Sequence, residues 1–320
     1  MIASRNPCLA DGTGTGRDVE LRSATASADE ECFPACLNPA TLSGLPVAEF
    51  LDAARQAGFG LIEMSIQQAR AFGLDRLREA LQERRLSVAA ASGILPADHI
   101  LPAPLLIPEA FYQAALASVR ERLDAMSVLC CPVATIVVNP RSSLPGRDAG
   151  DLAVRRLREL ANACEEFGLR LAVEAVGVRR GLDASLGGQF SVCTTPMELD
   201  ELIQRADHPA LGVLVDSYHW AATGGMPEQL TGPQAPIVHV QIADTPRTPG
   251  NRTGWTDEMR HYPGTGSLDW PLFRTALAAA GYLGPVSVEL FNPQLRAAPV
   301  ADIAARSLAG ARACFPGCGS

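Results

Sequence analysis

Four oxygen-bearing side chains occupy equivalent places in four short apolar segments of the second half of the chain. The run Gly212-Val-Leu-Val-Asp216 shows the pattern, because it is aliphatic until it stops on a carboxylate. The four end residues are Glu174, Asp216, Gln241 and Glu289. Carboxylate and amide oxygens are the ligands that hard divalent cations prefer. If the segments are parallel strands whose carboxyl ends meet, the pattern predicts one metal site, with Mn²⁺ expected first and Mg²⁺, Co²⁺ or Zn²⁺ as alternatives.

Two histidines lie close to these donors in the sequence. His239 shares one face of its strand with Gln241, but Gln241 lies roughly 6.6 Å nearer the carboxyl end. We therefore expect Gln241 to be the ligand and His239 to be packed or to support a ligand. His219 follows Asp216 by three residues and has left the strand, which favours contact with a polar substrate.

Such a site suits proton transfer next to a ketone. A divalent ion that binds the carbonyl and hydroxyl of an α-hydroxyketone acidifies the neighbouring C–H bond and stabilises the enediolate. Glu174 and Glu289 are the expected catalytic residues, because two glutamates on opposite faces can remove and return the proton. Return to a neighbouring carbon is isomerisation, return to the opposite face is epimerisation, and loss of a β-hydroxyl is dehydration. The residues alone leave these outcomes open.

Alternating apolar runs and amphipathic segments position these residues. Leu61–Ser65 predicts a strand and the charged segment Leu74–Arg85 a helix, and this rhythm repeats eight times. The sequence predicts a single (β/α)8 TIM-barrel domain over residues 31–316. A flexible N-terminal extension is expected over residues 1–30 and a short tail over residues 317–320.

Two long loops are expected at the mouth of this barrel. Residues 93–107 are too rich in proline for regular structure and follow a strand, so they should cap the mouth. Residues 244–266 form the longest loop of the second half and are expected to act as a lid. One continuous helix is predicted over residues 109–128.

Composition limits the class of protein. The 320 residues are 47% hydrophobic, enough for one large core, and the net charge of −8 argues against nucleic-acid and anionic membrane partners. All 27 basic residues are arginine, which excludes a Schiff-base lysine and a P-loop lysine. Nine scattered cysteines without CxxC spacing, and no long apolar run, predict reduced thiols in a soluble cytoplasmic protein. Homo-oligomerisation is compatible with this composition.

Five segments of the second half carry a family resemblance. They are Val173–Gly177, Val215–His219, His239–Asp244, Tyr262–Gly266 and Val286–Phe291. On these segments the chain resembles the xylose-isomerase-like barrel family of sugar-phosphate isomerases and epimerases. Within that family, its closest features are those of inosose (2-keto-myo-inositol) isomerases.

The resemblance implies roles for seven residues and a small polyol or ketose as the substrate. It implies Glu174, Asp216, Gln241 and Glu289 as metal ligands, the two glutamates also as proton carriers, and His219, Arg247 and His261 as substrate-binding residues. The function it implies is a divalent-metal-dependent isomerase or epimerase of a cyclitol ketone, such as inosose, or of a ketose. The alternative is a metal-dependent dehydratase that resembles either inosose dehydratase or 3-dehydroshikimate dehydratase.

Two positions depart from this pattern. Inosose isomerases typically carry histidine where Gln241 stands, whereas glutamine there resembles hydroxypyruvate isomerases and some dehydroshikimate dehydratases. Ketohexose epimerases carry a further glutamate where Arg180 stands, which argues against epimerisation of free ketohexoses. Two further readings are a barrel that only binds sugar, against which the intact donor set speaks, and an endonuclease IV-like enzyme, which the acidic charge and the five histidines disfavour.

Overall fold

The apolar runs form parallel strands that close into a barrel. The structure, a computed structural model, describes residues 33–95, 105–178, 188–248 and 250–316. Its strands are β1 (Ala35–Leu37), β2 (Leu61–Ser65), β3 (Ser87–Ser92), β4 (Val133–Val138), β5 (Arg141–Ser142), β6 (Arg170–Ala175), β7 (Phe190–Ser191), β8 (Leu211–Asp216), β9 (Ile237–Ile242) and β10 (Val286–Val288). Eight of them make the barrel in the order β1-β2-β3-β4-β6-β8-β9-β10, and β10 pairs with β1. β5 and β7 form a separate antiparallel pair that the sequence did not indicate.

Helices follow the barrel strands. They are α1 (Val47–Ala57), α2 (Ile66–Phe72), α3 (Leu74–Arg84), α4 (Glu109–Leu116), α5 (Val119–Val128), α6 (Gly146–Glu166), α7 (Pro196–Ala206), α8 (Ser217–Ala222), α9 (Glu228–Thr231), α10 (Trp270–Ala279) and α11 (Val300–Cys314). Capping residues explain where several of these helices begin. At α7, for example, the side chains of Thr195 and Glu198 form a capping box. Among the described helices, none combines the length and the apolarity that a membrane crossing requires.

The barrel strands are buried on both faces, as parallel strands covered by helices should be. All six residues of β4 and of β8 are buried. Inside the barrel, a small apolar cluster contains Ala172 and Leu214, each two residues before a predicted ligand on the same strand. Because side chains two apart share a face, Glu174 and Asp216 project above this apolar filling. A register shift between Val213 and Leu214 sets Asp216 opposite Gln241.

The predicted TIM barrel is therefore confirmed. The helix predicted over residues 109–128 is instead two helices, α4 and α5, separated at Ala117 and Ser118. The extension over residues 1–30, the tail over 317–320, most of the 93–107 loop and Arg180 lie outside the described residues, so those predictions stand untested.

The cysteines agree only partly with the expectation of reduced thiols. Five are buried free thiols, namely Cys36, Cys131, Cys164, Cys193 and Cys314. Cys130 is disulfide-bonded, so the expectation is wrong at that position.

Candidate active site

The structure brings the four predicted donors together at the carboxyl ends of the barrel strands. Glu174 lies near the end of β6, Asp216 ends β8, Gln241 lies near the end of β9, and Glu289 follows β10 directly. All four are buried. TIM barrels hold their active sites at this end, because the loops that follow the strands enclose it.

Asp216 both ends a strand and starts a helix. Its Oδ1 accepts hydrogen bonds from the backbone N–H groups of Tyr218, at 2.7 Å, and His219, at 3.0 Å, and so caps α8. This short helix carries His219 into the cluster, where its Nε2 lies 3.6 Å from Oε1 of Glu174. Glu174, Asp216 and His219 each offer one ligand atom, and these atoms all lie within 4.8 Å of one another.

Arg260 is a site residue that the sequence reasoning missed. It is 1% exposed, and its Nη1 lies 2.5 Å from Oδ2 of Asp216 and 3.4 Å from Oε2 of Glu289. Its Nη2 lies 2.8 Å from Asp257 Oδ1 and 3.3 Å from His219 Nε2. Burial alone would lower the pKa of Arg260, but Asp216 and Asp257 outweigh it and hold that pKa well above its usual range. Arg260 is thus a fixed positive charge among the carboxylates.

Glu289 is held by amide donors as well as by this guanidinium. Its Oε1 accepts hydrogen bonds from Asn38 Nδ2, at 2.9 Å, and from Gln241 Nε2, at 3.2 Å. Asn38 is buried directly after β1 and was also missed, although a polar residue after a strand was a visible signal. Burial raises the pKa of Glu289 well above its usual range, with Arg260 opposing and Glu174 reinforcing the effect.

Glu174 has different surroundings. Among the described residues its ion-pair contact is with His219, and no described donor makes a hydrogen bond to its carboxylate. Burial, reinforced by the charge of Asp216, raises the pKa of Glu174 well above its usual range. Burial also lowers the pKa of His219, whose Nδ1 is buried without a hydrogen-bond partner. The two side chains form an adjacent pair of proton-transfer groups.

A second buried network lies next to the donors. Nε2 of Gln241 lies 3.2 Å from each carboxylate oxygen of Glu63, and His239 Nε2 lies 3.0 Å from Glu63 Oε1. His239 therefore supports the cluster through Glu63. Burial alone would raise the pKa of Glu63, but the charge and the hydrogen bond of His239 outweigh it and hold that pKa below its usual range.

Two residues that were predicted to bind substrate, Arg247 and His261, have described contacts outside the four donors, and their role stays a prediction. Arg247 is exposed, and its Nε donates to the carbonyl oxygen of Thr265 at 2.9 Å. His261 is half-buried and pairs through its backbone with Asp244 in an isolated antiparallel bridge. His219, the third predicted contact, lies inside the cluster.

The segment over residues 244–266 packs against the cluster, although residue 249 lies outside the described part. Trp255 is buried and stacks on Tyr218, with ring centroids 5.4 Å apart. The Tyr218 hydroxyl donates to the carbonyl oxygen of Thr256 at 2.7 Å. At the far end, a Cβ at Gly266 would collide with the carbonyl of Thr245, so only glycine fits there. This packing carries Arg260 into the site. Opening of the segment as a lid stays a prediction.

The chemistry of the donors fits a divalent cation. Glu174, Asp216, Gln241 and Glu289 bring carboxylate and amide oxygens to one end of the barrel, and Arg260 contacts two of them, Asp216 and Glu289. The Oε1 atom of Gln241 is buried without a hydrogen-bond partner, a costly state for an acceptor that a cation would relieve. Oxygen-rich sets of this kind bind hard or borderline divalent ions.

A closed parallel barrel with an acidic cluster and buried proton-transfer groups at its carboxyl mouth defines an enzyme-like barrel. The chain belongs to the xylose isomerase-like TIM barrel family, whose model matches residues 51–314.

Relatives of this chain are enzymes of more than one reaction type. A 3-dehydroshikimate dehydratase of Pseudomonas putida is 32% identical over 190 residues, which are 59% of this chain and 28% of that protein. This chain thus spans about a quarter of the length of the curated dehydratases it matches, at 28% and 26%. An inosose isomerase of Halalkalibacterium halodurans is 24% identical over 269 residues, 81% of this chain and 88% of that protein.

Solved structures share the fold. A crystal structure of IolI protein with bound zinc has a TM-score of 0.73 and 22% identity, and the match covers 88% of this chain and 98% of that one. In this chain, the cluster of Glu174, Asp216 and His219 has the spacing of a group that could hold a metal ion.

Proposed function

We propose that this chain is a metal-dependent dehydratase that removes water from a small cyclic hydroxyketone. The observation that carries the proposal is the unequal environment of the two glutamates. The carboxylate of Glu289 is held by donors from Asn38, Gln241 and Arg260. The carboxylate of Glu174 instead has Nε2 of His219 at 3.6 Å from its Oε1. A base that receives no hydrogen bond from a described donor, beside a second proton-transfer group, suits elimination, which needs a base at carbon and an acid at the departing oxygen.

The residues can carry the reaction with atoms in balance. Glu174 removes the proton α to the carbonyl, and the adjacent Glu174 and His219 pair delivers a proton to the β-hydroxyl oxygen. The C–H and C–O bonds break, a C=C bond forms, and one water leaves. Arg260 holds Asp216 and Glu289 in place while this happens.

Metal ligation is part of the proposal. Glu174, Asp216, Gln241 and Glu289 would hold a divalent ion, with His219 as a further candidate because its Nε2 lies close to the same oxygens. When bound, such an ion polarises the ketone carbonyl and so acidifies the adjacent C–H bond. Mn²⁺ is the first ion to test on donor chemistry, and Zn²⁺ the second on the zinc-bound neighbour.

The second candidate is the isomerase or epimerase of a cyclitol ketone or ketose that the sequence analysis favoured. The match to an inosose isomerase over 81% of this chain and 88% of that protein supports it. Epimerisation requires Glu289 to exchange protons as Glu174 does, because the proton must return to the opposite face of the same carbon, whereas isomerisation can use one base that returns the proton to the neighbouring carbon.

A mass measurement in deuterated water separates the candidates. Metal-loaded protein is incubated in D₂O with 3-dehydroshikimate, an inosose and a ketohexose, and the products are analysed by mass spectrometry and NMR. We expect a product lighter by one water from the cyclic hydroxyketone. A product of unchanged composition that carries deuterium would overturn the dehydratase in favour of the isomerase. Metal binding without turnover of any substrate would leave a sugar-binding barrel.

A further inference from the structure

We propose that Glu63 is a positioning residue that orients the carboxamide of Gln241, so that its oxygen and not its nitrogen is presented to the metal site. The inference rests on the metal site in the proposed function, but not on which reaction the site performs. It assigns a role to a buried carboxylate that the mechanism above does not use.

Glu63 reaches Gln241 through the barrel interior. It lies on β2, and two strands, β1 and β10, separate β2 from β9 in the barrel. Its side chain is 3% exposed, and both of its oxygens lie 3.2 Å from Nε2 of Gln241. His239, on the same strand face as Gln241, contacts Glu63 Oε1 at 3.0 Å and supplies a second partner. The carboxylate is therefore fixed from two positions of β9.

The contacts of Gln241 admit only one amide orientation. Its Nε2 also lies 3.2 Å from Glu289 Oε1, so three carboxylate oxygens surround the nitrogen. The reversed amide would place its own oxygen against both oxygens of Glu63, which as an ionised carboxylate has no hydrogen to donate. In the observed orientation Oε1 is the free end, buried and without a partner. An amide binds a cation through its oxygen, so this orientation makes Gln241 a ligand.

Glu63 contributes more than Glu289 to fixing the orientation of the Gln241 amide. Glu289 has two other donors, Asn38 and Arg260, and could keep its place with the amide reversed. Glu63 offers two oxygens to the same nitrogen and has no role at the carboxyl end of the barrel. The competing explanation is that Glu63 and His239 only join β2 to β9, or that Glu63 only adds negative charge near the ion.

A double-mutant cycle on Mn²⁺ affinity tests the proposal. The variants are Glu63→Gln, Gln241→Leu and the pair, and the dissociation constant of Mn²⁺ is measured by calorimetry on metal-stripped protein. We expect Glu63→Gln to weaken binding by about 10- to 100-fold, as loss of outer-shell partners does. In the Gln241→Leu background the same change should have less than about a twofold effect, because the residue through which it acts is gone.

Two further variants separate the alternatives. Glu63→Asp keeps the charge but withdraws the carboxylate by one methylene, and we expect it also to weaken Mn²⁺ binding, again only when Gln241 is present. It serves as the second variant if Glu63→Gln does not fold, which thermal melting of the metal-free proteins would show. Glu159→Gln is the matched control, because it removes a carboxylate that accepts from Tyr112 on the outer helices, and it should leave Mn²⁺ affinity unchanged.

Each result supports or overturns the positioning role of Glu63. Losses that add in the double variant, or full affinity in Glu63→Asp, would show that Glu63 contributes charge or stability and would overturn the proposal. The proposal would also be overturned if the wild-type protein bound neither Mn²⁺ nor Zn²⁺. Failure of the dehydratase assay with the expected cycle intact would reject the reaction and keep the positioning role.

Discussion

Glu174 and Glu289 have the same residue type, the same 8% exposure and equivalent places at their strand ends, but different neighbours. Glu289 is fixed by Asn38, Gln241 and Arg260, and Glu174 faces only His219 among the described partners. The comparison teaches that position at a strand end identifies a candidate, whereas hydrogen-bond donors decide its role. Under the proposed function both glutamates are ligands, and Glu174, which receives no hydrogen bond from a described donor, is also the one that takes the proton.

The largest expected effect is that of Glu174→Gln on turnover. Glutamine keeps an oxygen near the metal but cannot accept a proton, so kcat should fall by about 10²- to 10⁴-fold. Steady-state kinetics at saturating metal measure it. If kcat falls less than it does in Glu289→Gln, the roles of the two glutamates are reversed.

Glu289→Gln should mainly weaken metal binding. A glutamine there has only one acceptor end, so its NH₂ group must face either the Asn38 and Gln241 donors or Arg260. We expect the Mn²⁺ dissociation constant to rise by about 10- to 100-fold, with a smaller loss of kcat at saturating metal. Calorimetry on Glu174→Gln alongside provides the matched control, and an equal loss of affinity in both variants would remove the distinction.

The smallest expected effect is the pH dependence of the metal-free protein. The raised pKa values of Glu174 and Glu289 mean that the folded state keeps protons which the unfolded chain loses above about pH 4.3. Stability should therefore fall as pH rises from about 4.3 towards the raised values, by at most about 1.4 kcal/mol per pH unit for each group. Urea unfolding of chelator-treated protein measures this slope. The double variant Glu174→Gln/Glu289→Gln should flatten it, and an unchanged slope would assign it to other groups.

The pKa values of Glu63 and Asp257 are lowered, so these groups act in a different pH range. Their contribution is present above about pH 4 and is lost as the pH falls through their folded values. The lowered pKa of His219 acts in the range above pH 4.3 with the opposite sign, because the unfolded chain there binds a proton that the folded state has lost. The difference between the slopes of the wild type and the double variant therefore reports on Glu174 and Glu289.

The sequence predicted the barrel and the strand-end donors because both depend on local patterns. An apolar run that stops on a carboxylate is visible in one segment, as at Asp216. Arg260 was missed because its partners among the four donors lie far away in the chain: Asp216 is 44 residues distant, and no spacing rule joins a loop arginine to a strand. Glu63 was visible as a single charge inside the apolar strand Leu61–Ser65, but its partner across the barrel was not. Arg247 followed from resemblance alone, and in the structure it lies exposed at Thr265.

The stack of Trp255 on Tyr218 gives the protein an internal optical reporter. The chain has three tryptophans, and the other two, Trp220 and Trp270, both pack on Phe273 in the core. In a Trp220→Phe/Trp270→Phe variant, emission would come from Trp255 alone, next to a phenol whose hydroxyl is bonded to the same segment at Thr256. If the 244–266 segment opens and closes with substrate, its emission spectrum should shift on binding without any attached dye. Stopped-flow recording would then time that motion against product formation.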